Sequence, residues 1–231
     1  MRKYKHIFFD LDHTLWDFKT NSRLTLTEIF EEFDLADKSG VDEQDFIETY
    51  ERYNHKMWDE YRNGRMSKET LRYERFRQSL FHIGVRDVAL SNRIGDFYVE
   101  NSPVKTALFP GAIEVLTELQ SKYVMHIITN GFEEIQSIKL NRSGLSEFFN
   151  EIITSEQAGS KKPHPAIFQY SLKQANAVVH ESLMVGDNQQ VDIVGAQKVG
   201  MDGVFFNPEK EETLIEPTYE VSELKQMLEF L

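Results

Sequence analysis

A short apolar segment near the start of the chain, Ile7-Phe8-Phe9, stands far from every other strand candidate, since the next one begins only at residue 124. A continuous apolar run of this length is typical of a strand buried on both faces of a parallel sheet. One strand alone leaves its backbone polar groups without partners, so residues 6–10 must pair with strands from the second half of the chain. The residues between them are therefore predicted to form an insertion after the first strand.

The inserted block is predicted to be helical throughout. From about residue 22 to residue 101 apolar residues recur at spacings of three and four, as in Phe46, Tyr50, Tyr53, Met57 and Tyr61. Turn-like pieces separate the other helix candidates, which are residues 22–35, 67–82 and 87–99.

From Pro110 onward, helix and strand candidates alternate, which indicates an α/β fold with a doubly wound parallel sheet. Strands are predicted at 124–128, 151–154, 182–185 and 203–206. Helices are predicted at 111–121, from the residue after Gly131 to about 143, at 165–176 and at 191–199. The predicted domains are an α/β core, residues 1–16 and 102–231, and an inserted all-α helical cap, residues 17–101, projecting over the carboxyl-end face of the sheet.

Composition and charge exclude several classes of protein. No apolar stretch approaches the ~20 residues that a membrane span needs, and the apolar run after the basic first residues is too short for a signal peptide, so we expect a cytoplasmic protein. A formal net charge of −12 argues against a nucleic-acid polymer as partner. The chain has no cysteine, so a metal would need oxygen or imidazole ligands, and a hard cation such as Mg²⁺ fits.

Two carboxylates, Asp10 and Asp12, follow the first strand directly, with the hydroxyl of Thr14 close behind. Side chains alternate along an extended segment, so both carboxylates are expected to point the same way and to share one site. The two acids of such a pair can have different roles: one is the nucleophile or a metal ligand, while the other, with a raised pKa, carries a proton. This pattern indicates phosphoryl transfer.

Three further polar clusters are expected at the same edge of the sheet. The first, Thr129-Asn130-Gly131, offers a hydroxyl and backbone N–H groups. The second, Ser160-Lys161-Lys162-Pro163, offers ammonium groups. The third, the run from Gly186 to Asp192, adds carboxylates. Together with the acid pair they are the parts of a site for phosphate and Mg²⁺.

In their order along the chain these motifs closely resemble those of the haloacid dehalogenase-like hydrolase superfamily, in the branch whose helical cap follows the first strand. The sequence departs from many relatives at His13, where they have glycine. The matching positions are Asp10 and Asp12 for the nucleophile and the acid, Thr129 for the hydroxyl, Lys162 for the lysine, and Asp187 with Asp192 for the late acidic motif.

The resemblance implies that Asp10 attacks phosphorus and that Asp12 protonates the leaving oxygen and then activates water. It also implies Mg²⁺ held by the carboxylates of Asp10 and Asp187 and by the backbone carbonyl of Asp12, with Asp192 and Asn188 in support.

Phosphate binding is assigned by the same resemblance to Thr129, Asn130, Gly131 and Lys162. Four residues near the start of the cap, namely His13, Asp17, Phe18 and Asn21, are candidates for substrate contacts or for ordinary turn and packing roles.

The sequence is most similar to the house-cleaning pyrimidine 5′-nucleotidases of bacteria, which implies a small phosphorylated substrate such as a pyrimidine nucleoside monophosphate. We expect a monomer or a homodimer. A phosphatase for sugar phosphates or phosphoglycolate is the nearest alternative, and a phosphomutase is a further one. From other classes, a phospho-accepting signalling domain and a non-catalytic relative stay open.

Overall fold

The computed structural model describes residues 3–231, and the chain divides into two compact units. One unit comprises the residues up to Phe18 together with Thr106–Leu231, and the other comprises Lys19–Lys105. The chain leaves and re-enters the first unit through neighbouring segments, because the backbone of Trp16 pairs with that of Leu108 and the Asp17 N–H donates to the Ala107 carbonyl at 3.0 Å. An insertion can therefore follow the first strand without disturbing the sheet.

The inserted residues are helical, as predicted. The helices are α1 (Phe18–Glu32), α2 (Leu35–Ser39), α3 (Glu43–Arg62), α4 (Lys68–His82) and α5 (Val88–Asn101). The predicted helical stripe lies on α3, where Phe46, Tyr50, Met57 and Tyr61 are buried and Tyr53 is half-buried beside His82. No helix within residues 3–231 is both long enough and apolar enough to span a membrane.

A six-stranded parallel sheet forms the centre of the other unit, which confirms the predicted fold class. Its order is β3-β2-β1-β4-β5-β6. The strands are β1 (His6–Phe9), β2 (Val124–Thr129), β3 (Glu151–Thr154), β4 (Ser182–Gly186), β5 (Asp202–Phe206) and β6 (Tyr219–Val221). The last strand was missed because Tyr-Glu-Val is too short and too polar to give an apolar run.

Helices pack on both faces of this sheet and create two apolar clusters. Side chains alternate along β1, so Ile7 and Phe9 enter one cluster and Phe8 enters the other. Because both faces of β1 are buried, Ile7, Phe8 and Phe9 are all apolar rather than alternately apolar and polar. The helices are α6 (Ala112–Gln120), α7 (Glu133–Arg142), α8 (Ser155–Ala158), α9 (Pro165–Gln174) and α10 (Val194–Gln197).

Strand β1 is the point at which the winding of the sheet reverses, because it pairs with β2 on one side and with β4 on the other. Ligands of such sheets bind beyond the carboxyl ends of the strands at this position. The residues that follow Phe9, Thr129 and Gly186 therefore lie next to one another across three adjacent strands.

Two histidines lie together on β1 and β2. His126 is almost completely buried, stacks on Phe8 with ring centroids 4.7 Å apart, and has its Nε2 3.1 Å from His6 Nδ1. Burial, with a smaller effect of His6, lowers the pKa of His126 from 6.5 to about 4. The unfolded chain therefore binds a proton at this residue at a higher pH than the folded chain does. The folded state has its full stability above pH 6.5, where His126 is neutral in both states, and it loses stability as the pH falls towards 4.

We predict that His126→Phe flattens the acid side of the stability profile. Between pH 7 and pH 5 the variant's free energy of unfolding should fall by roughly 2 kcal/mol less than that of the parent protein. Chemical denaturation at the two pH values measures this, and His180→Gln, a change at an exposed histidine, is the control. Equal falls in the parent protein and in His126→Phe would show that the lowered pKa of His126 is not the cause of the lost stability.

Candidate active site

A buried ion triad forms the centre of the site. Lys162 Nζ donates to Asp10 Oδ1 at 2.7 Å and to Asp192 Oδ1 at 2.6 Å, and the lysine side chain is 2% exposed. Asp10 comes directly after β1, whereas Lys162 lies in the loop before α9. Asn130 fixes that loop: its Oδ1 accepts from the Lys162 N–H at 2.8 Å and its Nδ2 donates to the Lys162 carbonyl at 3.0 Å.

The segment after β4 supplies two more carboxylates. Thr14 Oγ1 donates to Asp187 Oδ1 at 3.2 Å and accepts from the Asp187 N–H at 3.1 Å, which ties the loop after β1 to the end of β4. Asp192 lies on a π-helical turn, Gln189–Ile193, where sequence predicted an ordinary helix over 191–199. Its Oδ2 accepts from the Asn188 N–H at 3.0 Å.

Gly186 lets the Asp192 carboxylate approach the end of β4, because a Cβ at this position would stand 2.4 Å from it. The side chain of Asn188 begins the turn by accepting from the N–H groups of Gln190 and Val191. Asn188 therefore supports the acidic segment through the backbone.

Negative charge exceeds positive charge within this cluster. Asp10, Asp187 and Asp192 each offer an oxygen within 4.8 Å of the others, and the Lys162 ammonium is paired with two of them. Burial raises the pKa of Asp10 to about 7, with Lys162 opposing the rise and Asp192 adding to it. Burial, then Asp192 and Asp10, likewise raise the pKa of Asp187 well above its usual range.

The donor set fits a hard divalent cation. Its donors are carboxylate oxygens, and a bound cation would oppose the burial and the like-charge repulsion that raise both pKa values. Both oxygens of Asp192 already accept hydrogen bonds, from Lys162 and Asn188, as suits a residue that orients its neighbours. Asp10 and Asp187 are therefore the carboxylates best suited to hold Mg²⁺.

Asp12 belongs to a second polar cluster, formed with α7. Lys139 Nζ donates to Asp12 Oδ1 at 2.5 Å, and Gln136 Nε2 donates to Asp12 Oδ2 at 2.9 Å. The same Gln136 nitrogen lies 2.7 Å from Thr129 Oγ1, which also accepts from the Gly131 N–H at 3.0 Å. The acid pair thus lies at one edge of the sheet, but each carboxylate contacts a different lysine.

The predicted pKa pattern of the acid pair was wrong. Burial alone would raise the pKa of Asp12, but the nearby Lys139 ammonium and the hydrogen bonds from Lys139 and Gln136 outweigh burial and hold it below its usual range. The raised value belongs to Asp10 instead. Asp12 is therefore ionised in the resting site.

Gln136 and Lys139 were missed by sequence reasoning because they belong to no motif. Both are nearly fully buried on α7 together with Leu140. Positions three and four apart share one face of a helix, so two polar residues on the inward face of α7 were the available signal.

The residues predicted to contact substrate differ in their exposure. The side chain of His13 is exposed, and its ring centre lies 4.7 Å from that of Phe18. Its backbone is in the left-handed conformation, with φ 65°, which favours glycine. Asp17 and Phe18 are half-buried, while Asn21 is completely buried on α1. A substrate role for these four residues stays a prediction.

A model of the haloacid dehalogenase-like hydrolase family matches residues 7–206. The chain belongs to this family. Among curated proteins it is 31% identical to the pyrimidine 5′-nucleotidase YjjG of Escherichia coli, over 99% of this chain and 98% of the relative. It is also 31% identical to the pyrimidine 5′-nucleotidase PynA of Streptococcus pneumoniae, over 99% and 95% of the two chains.

Among solved structures, the magnesium-bound crystal structure of YfnB, a Bacillus subtilis protein named as a HAD-hydrolase, superposes with a TM-score of 0.90 at 28% identity. The match covers 99% of this chain and 98% of YfnB. The family that the sequence motifs predict is thereby confirmed.

We predict that Asp187→Asn separates metal binding from folding. Removing one buried, poorly compensated charge should leave the metal-free protein at least as stable as the parent, while the rise in melting temperature on adding Mg²⁺ is lost. At about 100 times its dissociation constant, the metal should stabilise the parent by about 2.7 kcal/mol.

Melting curves with EDTA and with Mg²⁺ measure both effects. Asp202→Asn is the control, because Asp202 pairs with Lys3 and Tyr4 and has a lowered pKa, so this variant should lose stability but keep its response to Mg²⁺. A full Mg²⁺ response in Asp187→Asn would exclude Asp187 as a ligand.

Proposed function

We propose that the protein is a Mg²⁺-dependent phosphatase that hydrolyses small phosphate monoesters through an aspartyl-phosphate on Asp10. The observation that carries this proposal is the placement of Asp10 at the reversal point of the sheet, 2.7 Å from the buried Lys162 ammonium, with a second acid two residues away. An alkoxide is a poor leaving group without a proton, whereas a halide needs none, so Asp12 favours phosphate ester hydrolysis over dehalogenation.

In the first step an oxygen of the Asp10 carboxylate attacks phosphorus, the bond from phosphorus to the ester oxygen breaks, and that oxygen takes a proton from Asp12. In the second step water attacks phosphorus and gives a proton to Asp12, and the bond to Asp10 breaks. Asp10, Asp187 and the Asp12 carbonyl would hold Mg²⁺, and the bound cation would supply the positive charge that lets a phosphate approach an anionic nucleophile.

Lys162 holds Asp10 in place and offsets charge on the transferred phosphoryl group. The hydroxyl of Thr129 and the N–H groups of Asn130 and Gly131 are proposed to bind its oxygens. In this structure the Gly131 N–H donates to Thr129 Oγ1, so a phosphate oxygen would replace that acceptor.

The lowered pKa of Asp12 fits the second step, in which an ionised Asp12 accepts a proton from water. For the first step Asp12 must gain a proton. A bound phosphate would raise its pKa by repulsion between like charges, so substrate binding itself favours the protonated form.

For the substrate we propose a pyrimidine nucleoside 5′-monophosphate. Support comes from two pyrimidine 5′-nucleotidases, each matched along nearly the whole chain. The test is phosphate release from nucleoside monophosphates, sugar phosphates and phosphoglycolate, each with Mg²⁺ and with EDTA. We expect metal-dependent turnover with a preference for pyrimidine monophosphates; preference for another ester would overturn the substrate, and no metal-dependent release from any ester would overturn the phosphatase.

We predict that Asp10→Asn abolishes turnover and leaves the protein folded. An amide oxygen is a far weaker nucleophile than a carboxylate, so kcat should fall by at least about a thousandfold. Burial disfavours the charged form and raises the pKa of Asp10 to about 7, so we expect a neutral side chain at this position to leave the protein folded. Initial rates and circular dichroism measure the two effects, and Asp37→Asn, the same change at an exposed position, is the control.

Turnover retained by a folded Asp10→Asn protein would refute the assignment of the nucleophile. Loss of turnover together with loss of the folded signal would instead point to a structural role for Asp10.

A further inference from the structure

Lys139 is a buried cation that the proposed mechanism does not use. Its side chain is 6% exposed, and its ammonium donates to Asp12 Oδ1 at 2.5 Å. The same ammonium lies 4.2 Å from the centre of the Trp16 ring and 5.5 Å from that of Phe18. A charge buried this deeply needs a well-formed pair with its counter-ion, and the ring faces add favourable cation–π contacts.

Helix α7 holds both oxygens of the Asp12 carboxylate. Lys139 binds Oδ1 and Gln136 binds Oδ2, and these residues share the inward face of the helix. Gly131 leaves room for this arrangement, since a Cβ there would stand 2.2 Å from Gln136 Nε2. The orientation of the Asp12 side chain is thus fixed by a helix that is remote in sequence from the loop carrying it.

We propose that Lys139 is a positioning residue that holds the Asp12 carboxyl group where it can pass a proton to the ester oxygen of the substrate. This inference rests on the proposed phosphatase mechanism and extends it to a residue outside the family motifs. Lys162 already pairs with the nucleophile, and Lys139 contacts the second acid, so each member of the acid pair has its own lysine. Lys139 acts through Asp12 rather than by touching the substrate.

Leaving-group chemistry distinguishes this role from general support of the fold. An alkyl phosphate releases a strongly basic alkoxide that needs the proton from Asp12, whereas p-nitrophenyl phosphate releases a stable phenolate that does not. The value of kcat/KM reports steps up to formation of the aspartyl-phosphate, so it isolates this proton transfer from the later attack of water.

The test compares kcat/KM for uridine 5′-monophosphate or glycerol phosphate with that for p-nitrophenyl phosphate, with Mg²⁺ present. In Lys139→Met, which keeps an apolar stem beside Trp16, the value for the alkyl ester should fall at least about tenfold while that for the aryl ester changes less than about threefold. Lys139→Arg should restore most of the alkyl-ester activity. The matched control is Arg142→Met, which removes the same charge from an exposed position on the same helix and should change neither value.

Equal losses with both esters, or an unchanged or higher value for the alkyl ester, would overturn the positioning role. If Lys139→Met does not fold, Lys139→Leu, which also removes the donor to Asp12 and keeps an apolar side chain beside Trp16, gives the same comparison. Failure of the unmodified protein to hydrolyse either ester would count against the proposed phosphatase activity itself. If the unmodified protein hydrolyses both esters, a change in the variant's kcat/KM is due to the loss of Lys139.

Discussion

The buried ammonium of Lys162, placed between Asp10 and Asp192, is the interaction on which the geometry of the site depends. It joins three separate parts of the chain: the end of β1, the loop before α9 and the turn after β4. Removing the lysine would leave two buried carboxylates without their cation, and breaking a buried ion pair in this way typically costs about 3–5 kcal/mol. Asn130, by holding the Lys162 backbone, and Gly186, by admitting Asp192, therefore serve the same triad.

Charge balance explains how two aspartates two residues apart become chemically different. Asp10 lies with Asp187 and Asp192, where carboxylates outnumber the ammonium, and its pKa is raised. Asp12 is paired with Lys139, whose charge and hydrogen bond outweigh burial, and the pKa of Asp12 is lowered. A divalent cation at the first cluster would favour the ionised form of Asp10, which the proposed mechanism requires, since a nearby positive charge favours the carboxylate.

Much of the fold and of the site could be predicted from the sequence because the informative residues are local. A strand buried on both faces must be apolar throughout, so Ile7-Phe8-Phe9 identified the sheet, and each polar cluster follows directly after a strand or precedes a helix. What was missed depends on tertiary contacts. The role of Gln136 and Lys139 depends on their hydrogen bonds to Asp12, which form only when α7 packs beside it. The direction of a pKa shift likewise depends on neighbours that are distant in sequence.

The proposed mechanism depends on transfer of the phosphoryl group to Asp10, and chemical trapping of the acyl phosphate detects this step directly. The protein would be mixed with a substrate monoester and Mg²⁺ and quenched, the acyl phosphate reduced with borohydride, and the peptides analysed by mass spectrometry. We expect residue 10 alone to be recovered as homoserine, and only when substrate is present. Modification at another residue, or rapid turnover with residue 10 unmodified throughout, would contradict the proposed mechanism.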